Sequence, residues 1–282
     1  MIKIVTDSTA LIPEETVNKY DIKVIPLNVN IGNDAYQDGI DMNGQKLIQY
    51  IKDNPKGDFP TTSQPSIGQF VEVYNELTKD GDTVLSLHMT DLLSGTVHAA
   101  SQASEIADGD VKVVNTHYID QSLGFLVVEA AKMAQSGDYT RDQIIDHVNQ
   151  DIENSELYIG VSTLENLVKG GRISKATGII SKMMNLHVVF QLLPDDLKLQ
   201  LKGRGKKTIT KWLDQFFETN ANTNYKFIGI SYTGSDEFAM ALKKRLEEQF
   251  PNVNVLVQYT SSIVSVHTGE NAFAIMTCKQ ND

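Results

Sequence analysis

The chain has 282 residues, which is long for one hydrophobic core and comfortable for two domains. Its hydrophobic fraction of 41% and charged fraction of 22% are those of an ordinary globular protein. The net charge of −11 argues against a general binder of nucleic acids or of anionic membranes, so we expect neither partner. Cys278 is the only cysteine, which excludes an internal disulfide and a cysteine-rich metal site. We expect no metal and no cofactor.

The chain opens directly on an alternating strand, predicted over residues 2–5, with no signal peptide before it and no apolar run long enough to cross a membrane. We therefore predict a cytoplasmic protein without integral membrane association. The polar residues Asp7, Ser8 and Thr9 follow this strand. Ligands usually sit at the carboxyl end of the first strand of an α/β sheet. The alternative is that Asp7 or Ser8 only caps a helix that begins at Pro13 or braces a neighbouring loop.

Alternation over residues 22–30 and turn residues after it predict a β-hairpin, and residues 42–52 predict an amphipathic helix. The loop Thr62-Ser63-Gln64-Pro65-Ser66 follows, and its prolines favour an extended, stiff backbone. Ser66 or Pro65 can cap a helix over residues 68–79. Hydroxyl and amide donors at a helix N-terminus suit a carboxylate or a phosphate. Ser, Thr and Pro also gather in purely local turns, which is the alternative.

A buried strand over residues 83–89 leads into Leu93-Ser94-Gly95-Thr96 and an alanine-rich helix. This order aims backbone amides and a hydroxyl at an anion, although Ser94 could also be a simple N-cap. It lacks the glycines of a dinucleotide loop and the Gly-Lys-Ser/Thr of a P-loop. A strand over residues 111–114 and helices after Asp120 and Thr140 continue the pattern. Such strand–helix alternation predicts a parallel sheet with helices on both faces.

The pattern changes after residue 155. A strand over residues 157–161 precedes Ser162-Thr163-Leu164-Glu165, a predicted capping box for a short helix that Gly170-Gly171 ends. A further helical stretch is predicted up to Leu186. Hairpins mixed with crossover helices follow. The predicted fold class is therefore α/β with two domains: a three-layer α/β/α domain with a parallel sheet over residues 1–155, and an α/β domain with a mixed sheet over residues 156–282.

His267 is the one histidine predicted in a polar loop that contains glycine, just before the last strand. Such a histidine can donate to an anionic head group or titrate near neutrality, whereas a lone histidine is more often structural. Basic residues gather in the same half of the chain. They are Lys169, Arg172, Lys175, Lys182, Lys198, Lys202, Arg204, Lys206, Lys207 and Lys211. This cluster predicts either a docking surface for an acidic partner or a solvated face.

Five short motifs, in this order and spread over nearly the whole chain, resemble the DegV family. They are Asp7-Ser8-Thr9, Thr62-Ser63-Gln64-Pro65-Ser66, Leu93-Ser94-Gly95-Thr96, Gly170-Gly171-Arg172-Ile173-Ser174 and His267-Thr268-Gly269. The resemblance implies a two-domain protein without catalytic activity that binds a long-chain fatty acid such as palmitate between its domains.

The resemblance also implies roles for single residues. The hydroxyls of Thr62 and Ser94, with Ser63 and Thr96 beside them, would hold the fatty acid's carboxylate, with His267 nearby. The bound acid would be presented to the ATP-binding subunit of a fatty acid kinase, which makes acyl phosphate for phospholipid synthesis. Arg172 would lie near the head group, where that kinase docks.

Two positions depart from the family's usual pattern. Leu11 stands where an acidic residue is usual, and Glu270 and Asn271 stand where Pro-Gly usually follows His-Thr-Gly. Glu270 would bring a second carboxylate close to His267. If His267 donates to the head group, we expect this negative charge to favour the imidazolium and to raise the pKa of His267. The alternative is that Glu270 points to solvent and His267 only braces the loop before the last strand.

Two other functions are open to the sequence. One is an acyl or ester hydrolase that uses Ser94 or Ser63 with His267 and Asp7, although no Gly-x-Ser-x-Gly elbow is present. The other is a kinase-like domain related to dihydroxyacetone kinases, although no recognisable ATP-phosphate motif is present. The carrier has physical support, because each buried CH₂ contributes about 0.8 kcal/mol and a few polar groups suffice to orient a ligand.

Overall fold

The structure is a computed structural model that describes residues 1–177 and 186–280, apart from the side chains of Thr177 and Lys206. Its contacts divide the chain into two compact units. Unit 1 comprises Met1–Asp41 and Thr62–Glu153, and unit 2 comprises Met42–Thr61 and Asn154–Asp282.

The elements before residue 154 are β1 (Ile2–Asp7), α1 (Glu14–Lys19), β2 (Lys23–Ile25), β3 (Asn28–Ile31), β4 (Asp34–Gln37), α2 (Gly44–Asp53), β5 (Thr61–Ser63), α3 (Ile67–Thr78), β6 (Thr83–His88), α4 (Thr96–Ile106), β7 (Val111–Asn115), α5 (Asp120–Ser136) and α6 (Arg141–Glu153). The later elements are β8 (Ser155–Val161), α7 (Glu165–Lys169), a 3-10 helix (Arg172–Lys175), β9 (Ala176–Thr177), β10 (His187–Leu192), β11 (Leu197–Gly203), α8 (Lys206–Thr219), β12 (Tyr225–Tyr232), α9 (Glu237–Gln249), β13 (Val255–Tyr259), α10 (Ser262–Thr268) and β14 (Phe273–Lys279). The predicted helix up to Leu186 is replaced at its start by β9, and its remainder lies outside the described residues.

The main sheet of unit 1 has the strand order β2-β1-β6-β7, and every neighbouring pair is parallel. Helices α3 and α4 cover one face, where Phe70 and Tyr74 are fully buried against Val5 and Val84. Helix α5 packs on β1 and β6, and α6 packs on α5. Because side chains alternate across a strand, both faces of this sheet are apolar and need a helical layer. The predicted three-layer α/β/α architecture is confirmed.

The predicted hairpin around residue 32 forms, but its first strand is divided. Residues 23–25 pair with β1 as β2, whereas residues 28–31 pair with β4 as β3. Pro26 lies at the division and lacks the backbone N–H that a continuous strand would need. The second sheet of unit 1 has the order β4-β3-β5, so β5, which contains Thr62, lies at its edge.

Unit 2 is built on a seven-stranded sheet with the order β13-β12-β14-β8-β10-β11-β9. The pairs β12–β13 and β9–β11 are parallel and the others are antiparallel, so the predicted mixed sheet is confirmed. Helices α8 and α9 cover one face with an aromatic core that contains Trp212, Phe216 and Phe250. On α9, Ala239 is fully buried whereas Phe238 is 42% exposed.

The segment Met42–Thr61 belongs to unit 2, whereas the predicted division at residue 155 assigned it to the first domain. Its helix α2 packs closely on α10 and the loop before it: a Cβ on Gly44 would lie 2.8 Å from the Tyr259 ring and 2.9 Å from Oγ of Ser265. An amphipathic pattern shows that a helix has a buried face, but it does not reveal which distant element covers that face.

The basic cluster lies in unit 2, with Lys198 and Lys202 exposed along β11 and Lys207 and Lys211 on α8. Lys182 lies outside the described residues. Among the helices that the structure describes, none combines the length and apolarity needed to cross a bilayer.

Candidate functional site

The loop between β5 and α3 presents side-chain hydroxyls of unit 1. Thr62 is half-buried on β5, and the neighbouring Ser63 is exposed and accepts a hydrogen bond from Nδ2 of Asn30 at 3.2 Å. Ser66 caps α3, which is one of the two caps that the sequence allowed, and it forms a complete capping box with Gln69. Because the Ser66 hydroxyl is engaged in the helix cap, the other two hydroxyls of this motif, those of Thr62 and Ser63, are the ones that are not part of the cap.

The loop between β6 and α4 supplies two more hydroxyls. Oγ of Ser94 lies 2.9 Å from Oγ1 of Thr96 and accepts from the Thr96 backbone N–H at 3.3 Å. The N-cap position of α4 is Gly95, and it makes no side-chain cap. Ser94 therefore precedes the N-cap and bonds to the first helical residue. The N-terminal end of α4 carries partial positive charge, which favours an anion beside these hydroxyls.

Gln64 brings the two hydroxyl loops of unit 1 together. A Cβ on Gly95 would overlap Oε1 of Gln64 and lie 3.2 Å from its Cδ, so the amide rests directly on the glycine backbone. Thr62 and Ser63 are thereby held next to the loop of Ser94. The sequence places Gln64 within the motif but gives it no role, because the contact joins residues of separate loops.

Asp7 has a structural partner. This fully buried carboxylate accepts hydrogen bonds from Nδ1 of His88 and the Met89 amide, both at 3.0 Å, and from the Thr9 amide and hydroxyl at 3.1 and 2.5 Å. Burial alone would raise the pKa of the Asp7 carboxyl, but the donors, His88 foremost, hold it below its ordinary value. Both oxygens are engaged, and the histidine that Asp7 binds is His88 and not His267, the histidine of the triad that the sequence left open.

The contacts of Asp7 continue into a chain of buried polar groups. Nε2 of His88 lies 2.7 Å from Oγ of Ser86, which accepts from the Tyr74 hydroxyl at 2.9 Å. With the His88 proton assigned to Nδ1, every member has a donor and an acceptor in the right order. His88 is therefore a buried residue whose two ring nitrogens are both engaged. Burial raises the pKa of Tyr74, which keeps this end of the chain protonated.

His267 of unit 2 lies in the last turn of α10 and not in a loop as predicted. Its imidazole rests on Gly170, where a Cβ would overlap Nδ1 and lie 2.8 Å from Cε1. Burial, and then the positive charge of Arg172, lower the pKa of His267 to about 4. The expected increase in this pKa is therefore wrong. The acid that was meant to cause it, Glu270, forms an ion pair with Lys52 of α2 at 2.5 Å.

Arg172 also contacts Gly170, the glycine on which the His267 ring packs. Its Nη1 donates to the Gly170 carbonyl at 2.8 Å, and partial burial lowers the pKa of its guanidinium. Gly171 has a φ of 76°, a left-handed conformation that glycine adopts without steric cost. The predicted Gly-Gly end of α7 is therefore observed, and it turns the chain so that Arg172 reaches back to Gly170.

The turn after His267 contains Glu270 and Asn271, which stand where the family usually has Pro-Gly. Asn271 has a φ of 59°, and asparagine is among the few residues that enter the left-handed region readily in place of glycine. The Glu270 carbonyl accepts from Oγ of Ser162 at 3.0 Å. Ser162 is therefore engaged outside α7, and the predicted capping box with Glu165 does not form; Oγ1 of Thr163 accepts from the Glu165 amide instead, at 3.2 Å.

Asn166 is a second residue that the sequence left without a role. Its Nδ2 donates to the Val266 carbonyl at 2.9 Å, one residue before His267. It lies four residues before Gly170, a spacing that places both on one face of a helix. That spacing is the signal that could have pointed to it.

These features define a class of protein: a two-unit α/β protein in which unit 1 offers neutral hydroxyls and unit 2 a cation and a neutral histidine, each suited to an anionic group. The family model described as "Uncharacterised protein, DegV family" matches residues 1–280. The chain belongs to the DegV family, and the prediction from its five motifs is confirmed.

Known relatives cover nearly the whole chain. A DegV domain-containing protein of Streptococcus pneumoniae serotype 4 is 45% identical over 98% of this chain and 97% of its own length. YejH, a DegV domain-containing protein of Lactococcus lactis, is 37% identical over 98% of both chains.

Two solved structures are also similar. DegV of Bacillus subtilis, a fatty acid binding protein, has a TM-score of 0.90 at 27% identity and 99% coverage of both chains. A DegV family protein of Thermus thermophilus, whose structure describes fatty acid binding, has a TM-score of 0.89 at 28% identity and 99% coverage of both chains.

Proposed function

We propose that this protein is a fatty-acid carrier. It binds a long-chain fatty acid such as palmitate and holds the carboxylate through the hydroxyls of Thr62 and Ser94, with Ser63 and Thr96 beside them. The observation that carries the proposal is the contact of Gln64 with Gly95, which joins the two hydroxyl loops at the N-terminus of α4. The similar structures from Bacillus subtilis and Thermus thermophilus, both described as binding fatty acids, support the same ligand.

The energetics favour a carrier. Burying the methylenes of a long tail supplies on the order of ten kcal/mol before the cost of association. Hydrogen bonds to a charged head group add roughly 1.5–3 kcal/mol each. Neutral hydroxyls thus orient the carboxylate without the desolvation cost of a buried ion pair, which allows the ligand to be released.

The proposal gives His267 and Arg172 separate roles. His267 is neutral at physiological pH because its pKa is about 4, so it contributes a neutral N–H to the carboxylate. Arg172 retains its charge and marks the docking site of the ATP-binding subunit of a fatty acid kinase, which phosphorylates the presented acid. The carrier itself performs no chemistry, in keeping with the engagement of Asp7 by His88.

Substitution of the hydroxyls tests the ligand. Thr62→Ala and Ser94→Ala should each weaken palmitate binding about 10- to 100-fold, because each removes one hydrogen bond to a charged group. Thr62→Ser, which keeps the hydroxyl, should retain most of the affinity. Ser101→Ala is the matched control, because Ser101 lies on α4 and bonds only within its helix, to the Val97 carbonyl. Displacement of a fluorescent fatty acid measures affinity, and native mass spectrometry detects a co-purified acid. Unchanged affinity in both alanine variants would contradict the assignment, and ester turnover would favour the hydrolase.

Substitution of Arg172 tests the partner. Arg172→Ala should leave palmitate affinity within about threefold of wild type, yet strongly reduce acyl phosphate formation by the ATP-binding kinase subunit. Arg245→Ala is the control: Arg245 is also in unit 2, where it pairs with Asp214 and stacks on Phe217. If Arg172→Ala loses ligand binding and kinase support together, the separation of roles is wrong.

A further inference from the structure

Two glycine motifs of unit 2 are explained by one reciprocal contact between α7 and α10. Gly170, at the end of α7, receives the imidazole of His267 from α10. Gly269, just after α10, receives the side chain of Asn166 from α7: a Cβ on Gly269 would lie 2.7 Å from Oδ1 and 2.9 Å from Cγ of Asn166. Because neither glycine has a Cβ, a side chain from the other helix can pack directly on its backbone.

Asn166 also bonds to the turn that carries His267. The last carbonyls of a helix have no partner within the helix. At the end of α10, the Gly269 amide donates a hydrogen bond to the Ser265 carbonyl at 2.9 Å. The next carbonyl, that of Val266, accepts a hydrogen bond from Nδ2 of Asn166 at 2.9 Å. The residue after Val266 is His267. One hydrogen bond therefore links α7 to the backbone of the last turn of α10.

The helices themselves are too short to fix this arrangement. α7 has five residues and α10 has seven, and helices of this length depend on packing for their stability. Two charged residues close to His267 in the chain or in the motif have partners of their own: Glu270 pairs with Lys52, and Lys169 pairs with Glu165 at 2.7 Å. Among the described residues, it is the charge of Arg172 that, after burial, lowers the pKa of His267.

We propose that Asn166 is a positioning residue for His267, and that it holds the last turn of α10 so that the imidazole stays on Gly170 and is presented to a carboxylate head group. The role rests on the proposed function for its ligand, a fatty acid, but the position of His267 can be measured without a ligand. The hydrogen bond of Asn166 goes to the backbone of α10, so we expect its loss to act on His267 through the position of the ring.

The experiment follows the imidazole signals of His267 by NMR between pH 3.5 and 8, with palmitate affinity measured in parallel. Asn166→Ala should move the titration midpoint of His267 from about 4 toward the ordinary value of about 6.5, by a pH unit or more, as the ring leaves its buried place. Palmitate affinity should fall about three- to tenfold. Asn166→Leu keeps a similar volume without a donor and without a new charge, so it should also shift the titration.

Asn220→Ala is the matched control. Asn220 makes an equivalent bond at the end of α8, where its Nδ2 donates to the Phe216 carbonyl at 2.9 Å, so its loss should leave His267 unchanged. A wild-type titration of His267 in both folded Asn166 variants would overturn the proposal. If Asn166→Ala does not fold, Asn166→Ser is used in its place.

The proposed function is judged by a separate variant, His267→Gln. If His267→Gln binds palmitate with wild-type affinity, the ligand role of His267 is contradicted, while the titrations still decide whether Asn166 positions the ring.

Discussion

The two units differ sharply in charge. Unit 1 carries 7 Lys and Arg against 22 Asp and Glu, a net charge of −15, whereas unit 2 carries 18 against 14, a net charge of +4. The proposed site residues follow the same division: hydroxyls in unit 1, and Arg172 and His267 in unit 2. An acidic unit cannot attract a carboxylate by its overall field. Its hydroxyl loops must therefore act at short range, which suits orientation of a ligand whose affinity comes from an apolar tail.

The same kind of contact, an amide side chain packed on a glycine, connects two motifs within each unit. An amide side chain rests on a glycine backbone, Gln64 on Gly95 in unit 1 and Asn166 on Gly269 in unit 2. The contacts differ in rigidity. Gln64 is an exposed residue, whereas Asn166 is half-buried and bonded to Val266. The comparison suggests an adaptable hydroxyl site and a fixed histidine, and the following predictions test that difference in order of expected effect.

The largest effect is expected in the core of unit 1. Asp7→Ala should cost roughly 3–5 kcal/mol of unfolding free energy, because it leaves His88 and two backbone amides without their buried acceptor. Since the folded pKa of Asp7 is lowered, its stabilisation is present above the unfolded pKa of about 3.9 and is lost as pH falls through the folded value. Urea unfolding followed by circular dichroism between pH 3 and 7 measures both. The exposed Asp138→Ala is the control, and an equal effect in it would contradict the prediction.

The second effect compares the glycine that contacts Gln64 in unit 1 with the glycine that contacts the His267 ring in unit 2. Gly170 and Gly95 have φ values of −77° and −78°, so alanine strains neither backbone and only the space differs. Gly170→Ala should cost about 1–3 kcal/mol, because the Cβ meets the His267 ring and the Asn166 carbonyl. Gly95→Ala should cost less than about 0.5 kcal/mol, because the exposed Gln64 can turn away. Thermal unfolding of Gly170→Ala and Gly95→Ala measures the two losses of stability. Equal losses would contradict the proposed difference in rigidity between the two sites.

The third effect concerns the pH dependence of His267. Its pKa is about 4 in the folded state and about 6.5 in the unfolded state, so between these values only the unfolded state binds the proton. Stability should therefore decrease as pH falls from 6.5 to 4, with no contribution above. His267→Gln should remove this component of the pH profile. Palmitate affinity should be flat between pH 6 and 8, and a decrease with histidine deprotonation in that range would restore the sequence-based expectation.

The smallest effect is expected at the turn after His267. Glu270→Gln removes an exposed ion pair with Lys52, and such pairs contribute little. Because Lys52 already neutralises this carboxylate, the His267 titration should be unchanged, which NMR can measure. Lys52→Gln is the informative partner variant, since it releases the Glu270 charge. A downward shift of the midpoint in Glu270→Gln would show that Glu270 acts on the imidazole after all.

Several local features were predictable because their signals lie within a few residues. The Ser66 cap of α3 and the Gly170-Gly171 end of α7 are two of them, whereas the binding role of Thr62 and Ser94 stays a prediction. The environment of His267 was not predictable. Its secondary structure, its pKa and its partners depend on Gly170, Arg172 and the pairing of Glu270 with a helix more than two hundred residues earlier in the chain.

The sequence by itself determined the family, the α/β class of both units and the positions of the hydroxyl loops, because hydrophobic period, capping and turn residues act over short distances. Only the tertiary structure decided that Met42–Thr61 packs in unit 2, that Asp7 serves His88, and that His267 is neutral. Each of these depends on burial and on contacts between residues far apart in the chain. Such contacts set the charge and the neighbours of a side chain, and no local pattern encodes them.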